Sequence, residues 1–406
     1  MKNFSKTRIL YIGPIPPEVG GKCAGGIATH CWQLATQAYK RGYKVYILAN
    51  TASSFTKNGI KVISPPQRNK LLKAFFGVRF WLTVNKNKID SLNFFNYEEK
   101  IGVLYGAYLL QETINLVKPN LIHIHSLHNS QTLSLKLLEN SIPLVITDHG
   151  FWQGIHGKRD IAKIKKTATE ADYVICPSNF SKDQMENYKI APLIKKKVIH
   201  HPQDIDNIPL LDRRKIKQEL GLKDKKVILF SGVTEPVKIK GLGILLEAMA
   251  ISSHVKEKCK AIIITNGEGT EYAQKFVKQN AIDGLILGPQ PWDKIVKFYN
   301  VADVFVMPSK SEGFGIVYEE ALSAGIPIVG FYSILNELEH LLGVYIGEKF
   351  DASKENEKNL AEKITKVLNT DFDREFLRRK VIEKLSWDAK FSEFESVYRE
   401  VLVDRC

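Results

Sequence analysis

The sequence predicts an α/β chain built as two Rossmann-like, doubly wound parallel-sheet domains. Three observations carry the prediction. Short runs rich in Ile, Val and Tyr alternate with helical patterns, as strands covered on both faces do. The alternation breaks and restarts near residue 205. The 406 residues exceed what one hydrophobic core organises, and two domains of roughly 200 residues each meet that limit.

In the first half the strands are "RILYIG" (8–13), "KVYILA" (44–49), "LIHIH" (121–125), "PLVIT" (143–147) and "YVICPS" (173–178). Helical patterns lie between several of them, and in "ATHCWQLATQAYKRG" (28–42) Gly42 marks a helix stop. After "KKVIHHPQDIDNIP" (196–209), where Pro202 and Pro209 suit a connection, the second set follows. It comprises "KKVILFSG" (225–232), "AIIITNGEG" (261–269), "LILG" (285–288), "VFVMPS" (304–309) and "PIVG" (327–330). The expected domains are residues 1–205 and 206–384, followed by a C-terminal segment, 385–406, holding the amphipathic helix "LSWDAKFSEFESVYREVL".

One stretch fits neither sheet. In "RNKLLKAFFGVRFWLTVNKNK" (68–88), Arg68, Lys70, Lys73, Arg79, Lys86 and Lys88 interleave with Leu71, Leu72, Phe75, Phe76, Phe80 and Trp81. A basic amphipathic helix of this kind lies on anionic lipid headgroups. The same pattern also suits a helix packing its aromatic face on the first sheet, with Gly77 interrupting it. Both readings stay open at this level.

Apolar residues at 44% and charged residues at 25% argue against wholesale disorder. The 58 basic against 44 acidic residues, a net charge of +14, point to an anionic partner without choosing one. No compact Lys/Arg run or known module favours nucleic acid, and phosphorylated substrates account for the basicity equally well. Five scattered cysteines without C-x-x-C spacing suggest reduced thiols, neither a disulfide framework nor a zinc site. The first apolar run is too short for a secretory signal, and no window reaches the roughly 18 to 20 apolar residues of a membrane span. A cytoplasmic location is expected, with a peripheral position on the inner membrane face if 68–88 meets lipid.

Ligands of open parallel sheets bind beyond the carboxyl ends of the strands. "GPIPPEVGGKCAGGIATH" follows the first strand, and its Gly20, Gly21, Gly25 and Gly26 allow close backbone approach and open a helix at about Ile27. The loop is not G-x-G-x-x-G and no acid ends the second strand, which disfavours a dinucleotide. "SEGFGIVYEEALSAGIPIV" (311–329) is better specified. There the amides of Gly315, Ile316 and Val317 open a helix toward an anion such as a pyrophosphate. Glu320 sits roughly 6 Å further along that helix at about 1.5 Å rise per residue, the reach from a phosphate to its ribose. Its carboxylate accepts from ribose hydroxyls, Glu312 faces what is attached beyond the phosphates, and Glu319 is expected to be a helix-start or surface acid. His123 and His125 alternate along a strand, where buried, hydrogen-bonded side chains are the expectation. The adjacent pair His200 and His201 is poorly placed to share one metal.

"EGFGIVYEEA" closely resembles the E-x7-E motif of the retaining family 4 glycosyltransferases of GT-B fold, with Glu312 and Glu320 as its glutamates. The resemblance runs through "PNLIHIH", "VITDHG", "ADYVICPSNFSKD", "KGLGILLEAM", "NGEG" and "FVMPS" to the closing "SW...Y" helix. It implies two domains facing a cleft that holds a nucleotide-diphosphate sugar, with the C-terminal helix returning to the first domain. It also implies Glu320 on the donor ribose, Glu312 on hydroxyls of the transferred sugar and Lys240 on the diphosphate leaving group. His149 of "TDHG" would lie beside the anomeric centre, with Gly25 and Gly26 on the rim. Val233 stands where many members carry Arg, and Lys238, two residues before Lys240, is the candidate for a compensating cation.

The expected activity is metal-independent, retaining transfer of a hexose or N-acetylhexosamine, with uridine diphosphate the favoured carrier. The expected acceptor is a lipid-linked glycan or cell-envelope polysaccharide. No cofactor or metal site is expected, the nucleotide sugar being a substrate. The alternative is a catalytically weak or inactive nucleotide-sugar-binding protein of the same fold.

Overall fold

A computed structural model of the chain describes residues 7–23, 25–66, 69–82, 96–127, 130–138, 141–150, 158–222, 225–232 and 239–403. Apolar runs become strands where both faces are covered. In unit 1, residues 1–200 with 391–406, these are β1 (Arg8–Ile12), β2 (Lys44–Leu48), β3 (Phe55–Lys57), β4 (Ile60–Ile63), β5 (Leu121–His125), β6 (Leu144–Thr147), β7 (Tyr173–Cys176) and β8 (Lys195–Val198). They form one sheet in the order β3-β4-β2-β1-β5-β6-β7-β8, parallel throughout except for the antiparallel β3–β4 pair. Leu10, Ile12, Ile122, Ile124, Ile146 and Val174 from the central strands are buried in its core.

Unit 2, residues 201–390, holds β9 (Lys226–Ser231), β10 (Cys259–Ile264), β11 (Gly284–Leu287), β12 (Val304–Met307), β13 (Ile328–Phe331) and β14 (Gly347–Phe350). Their order is β11-β10-β9-β12-β13-β14, all parallel. Both sheets are α/β and doubly wound, as the sequence predicts. The contacts divide the chain at 200/201 and 390/391, where the sequence predicts 205/206 and 384/385, and the last helix, Trp387–Val403, belongs to unit 1 from Phe391 onward.

The chain order reverses between β1 and β5 in unit 1 and between β9 and β12 in unit 2. Strand ends at such a reversal leave a crevice into which following loops project. In unit 1 those loops begin at Gly13 and Ser126; in unit 2 they lead toward Lys240 and Glu312.

The stretch 68–88 is helical over Lys70–Trp81 among the described residues, while Arg68, Lys86 and Lys88 lie outside them. Gly77 does not interrupt the helix. It is buried against the helix Tyr97–Val117, where an added Cβ would meet the Ile101 carbonyl oxygen at 3.4 Å, an ordinary van der Waals contact. Phe76 stacks on Tyr108 with centroids 4.9 Å apart, so this face meets a helix and not the sheet directly. The Tyr97–Val117 helix is itself fixed at its start by a reciprocal capping box of Asn96 and Glu99.

Candidate active site

In unit 2 two helices open from touching loops at the sheet reversal. β12 runs into Pro308 and a loop that ends at Gly315, in the left-handed region at φ 76°, from which the helix Ile316–Ser323 starts. Gly241, also at φ 76°, starts the helix Leu242–Ile251. The two loops are tied: Lys310 N donates to the Ile239 carbonyl at 2.9 Å, and a Cβ on Gly241 would fall 2.3 Å from the Pro308 carbonyl oxygen. Gly315, Ile316 and Val317 carry first-turn amides that have no acceptor within their own helix. Their partial positive charge favours an anion.

The far end of the same helix is held by two arginines. Arg378 donates to the Ser323 carbonyl, and Arg374 donates to that of Ala324 at 2.9 Å, placing cations at the negative end of the dipole. Tyr318 pins the middle: its hydroxyl donates to Met307 O at 2.6 Å and accepts from Phe331 N at 3.0 Å, joining β12 to β13. A Cβ on Gly315 would meet the Tyr318 ring at 2.6 Å. Gly315→Ala therefore combines a steric clash with left-handed backbone strain, and is expected to cost roughly 1–3 kcal/mol. A urea melt reads this, and an unchanged midpoint would show that the loop relaxes freely.

The charged groups take distinct partners. Lys240 Nζ donates to both oxygens of Glu312, each at 2.8 Å. Glu312 is buried at 6% exposure, whereas Lys240 remains half-buried. Glu320 Oε2 accepts from the buried Tyr299 hydroxyl at 2.7 Å. Burial lifts the Glu320 carboxyl to about 7, the Tyr299 hydrogen bond opposing the rise.

Glu319 departs from expectation. It is wholly buried, not a surface or helix-start acid: Gln203 Nε2 donates to its Oε2 at 2.6 Å, and Oε1 has no partner among the described residues. The helix turns Tyr318, Glu319, Leu322 and Ser323 inward, leaving Glu320 off that stripe. Burial pushes the Glu319 carboxyl far above its ordinary range, which favours the neutral form.

Of the predicted site residues, Lys240 and Glu312 are brought into direct contact. Gly315, Ile316, Val317 and Glu320 share one helix start. Lys238 and Val233 lie outside the described residues. Gly25, Gly26 and His149 belong to unit 1. There Gly25, at φ 114°, precedes the helix Gly26–Lys40, and both glycines are exposed.

His149 follows β6, and its Nε2 lies 3.1 Å from Nδ1 of His125. Burial lowers the His149 imidazole to about 3, so the ring is neutral at physiological pH. His123 is satisfied on both sides, by the Tyr398 hydroxyl at 2.8 Å and Thr147 Oγ1 at 2.7 Å. Sequence reasoning assigned no role to Tyr299, Gln203, Gly241 or His30. Only Gly241 had a visible signal, as the glycine after Lys240 in "KGLG".

Two family descriptions match most of the chain: residues 212–384 match the glycosyl transferases group 1, and residues 24–207 match Glycosyltransferase Family 4. An uncharacterized glycosyltransferase of Methanocaldococcus jannaschii is 25% identical over 96% of this chain and 98% of its own length. The alpha-monoglucosyldiacylglycerol synthase of Streptococcus pneumoniae is 23% identical, over 86% of this chain and 80% of its own. Among solved structures, the sucrose-phosphate synthase of Thermosynechococcus elongatus superposes with a TM-score of 0.74 at 15% identity, covering 98% of this chain and all (100%) of that one. HepE of Anabaena, solved in complex with UDP and glucose, gives a TM-score of 0.67 at 16% identity over 97% of this chain and 100% of its own.

Proposed function

This chain belongs to the group 1 glycosyltransferases, with a first half of family 4 type, and on that premise we propose that it moves a hexose or N-acetylhexosamine from a nucleotide-diphosphate sugar to a glycolipid or surface-polysaccharide acceptor. Uridine diphosphate is the first-choice carrier, and the transfer retains anomeric configuration without a metal. One observation carries the proposal. The free-ended amides of Gly315, Ile316 and Val317 stand on the same helix as Glu320, and the loop that leads to them holds Glu312 against Lys240. That is a phosphate seat with a hydroxyl acceptor one turn along.

The chemistry follows from charge. Breaking the glycosyl–phosphate bond develops negative charge on the diphosphate and positive charge on the sugar. Lys240 and the three amides stabilise the first. When Lys240 turns to the diphosphate, both Glu312 oxygens become available to sugar hydroxyls. Glu320 takes the ribose hydroxyls, backed by Tyr299. In unit 1, His149 and the helix start at Gly25 and Gly26 are the ligand-facing groups, at the carboxyl edge of that sheet.

A screen of UDP-, GDP- and ADP-sugars for released nucleotide tests the proposal, and release from none of them would count against it. Val233 at the position of the family Arg favours the second reading, a binding protein with weak or no turnover; that reading predicts saturable donor binding with no nucleotide released.

The helix Lys70–Trp81 supports a peripheral position on anionic lipid. Leu71 is 81% exposed and Phe75 60%, and Lys70, Lys73 and Arg79 lie exposed among them. Among the described residues no helix is long and apolar enough to cross a membrane. Each cation near an anionic surface contributes about 1 kcal/mol, so replacing all three with Ser is expected to weaken vesicle binding about 100-fold at low salt. Vesicle sedimentation reads this, and unchanged partitioning would remove lipid from the proposal.

A further inference from the structure

We propose that His30, His125 and His149 form a site in unit 1 for one divalent transition-metal ion, zinc being the ion whose preferences fit. Three separate elements supply the ligands: the helix Gly26–Lys40, the last residue of β5, and the turn after β6. One ring nitrogen from each lies within 4.8 Å of the other two. Nδ1 of His125 and Nε2 of His149 are 3.1 Å apart. Tetrahedral zinc with bonds of about 2.0–2.1 Å holds its ligand nitrogens about 3.3 Å apart, so this pair already stands at chelating distance.

The His30 ring meets the other two edge-on, with centroids 5.4 Å from His125 and 5.3 Å from His149. Three imidazoles leave a fourth position for water or an incoming ligand, the pattern of zinc sites that keep an exchangeable group. An all-nitrogen set disfavours Mg2+ and Ca2+, which take oxygen ligands.

The ion has no part in the proposed transfer, which Lys240 and the helix amides serve. Because His149 belongs to both, zinc occupancy would compete with whatever ligand His149 faces. The test is direct binding and does not depend on transfer. Full-length protein stripped with EDTA is titrated with ZnCl2 near neutral pH, and separately with Co2+, whose visible absorption reports tetrahedral coordination. One equivalent is expected to bind, unaffected by excess Mg2+.

His30→Asn and His125→Asn should each weaken zinc binding at least about 100-fold, beyond the 10- to 100-fold typical of lost outer partners. His125→Cys, which keeps a ligand, should retain cobalt and add a sulfur charge-transfer band. The Cys variant keeps the test decisive if an Asn variant fails to fold. Absence of stoichiometric zinc binding, or binding that survives both Asn substitutions, would mean that the three rings are only a packed imidazole array.

Discussion

Lys240→Ala is expected to lower turnover about 100- to 1,000-fold while leaving donor affinity within a few fold of wild type. A fixed cation gains most as charge builds on the departing diphosphate, so its loss falls on the transition state more than on the bound substrate. The same change leaves Glu312, at 6% exposure, without the ammonium that now meets both its oxygens. Loss of a buried carboxylate's partner costs about 1–3 kcal/mol of stability. A thermal melt beside the kinetics separates these effects, and Lys240→Arg, which keeps the charge, should recover stability before it recovers rate. Wild-type turnover in a folded Lys240→Ala enzyme would remove the lysine from the chemistry.

Glu320→Gln is expected to weaken donor binding about 10- to 100-fold, the worth of hydrogen bonds to a charged acceptor. It should also abolish a pH dependence. Burial raises the carboxyl from 4.5 to about 7, so below that pH the folded protein holds it neutral and one oxygen no longer accepts. Donor affinity should therefore rise as pH rises through about 7. Ribose hydroxyls favour the carboxylate, so binding near that pH should release up to about half a proton. Calorimetry in buffers of different ionisation enthalpy measures the release. A Glu320→Gln protein that kept both affinity and pH profile would place the ribose elsewhere.

The central strands were legible because burial on both faces writes an unbroken apolar run. β1, β5, β9, β10 and β12 all lie within the runs quoted above or overlap them closely. The edges were not. β3 reads "FTK", β8 "KKKV" and β14 "GEKF", where half-covered strands carry charges and lose the period that betrays a core strand. The helix start at Gly315 was legible from a glycine between a strand and an apolar periodic segment.

The pairings around it were not. Lys240 and Glu312 are 72 residues apart, and Tyr299 and Glu320 are 21 apart. The sheet order, by placing β9 beside β12, brings the Lys240 and Glu312 loops together, while Tyr299 reaches Glu320 from the helix Trp292–Val301 that leads into β12. Glu319 misled because two adjacent glutamates look alike in a sequence, while the helix turns one inward and leaves the other at the site. Likewise Gly77 looked like a break, but it sits inside the continuous helix Lys70–Trp81, because packing on a neighbouring helix outweighs the propensity cost of about 1 kcal/mol of one glycine.

The central claim is that a nucleotide diphosphate seats on the helix start at Gly315, with Glu320 on its ribose and Lys240 on its phosphates. Titration of UDP, and then of the sugar nucleotide that the donor screen selects, onto wild-type protein, Glu320→Gln and Lys240→Ala tests it most directly. Saturable binding that Glu320→Gln weakens at least about 10-fold, with Lys240→Ala losing mainly turnover, is the predicted result. Nucleotide binding left intact by both substitutions would contradict the assignment.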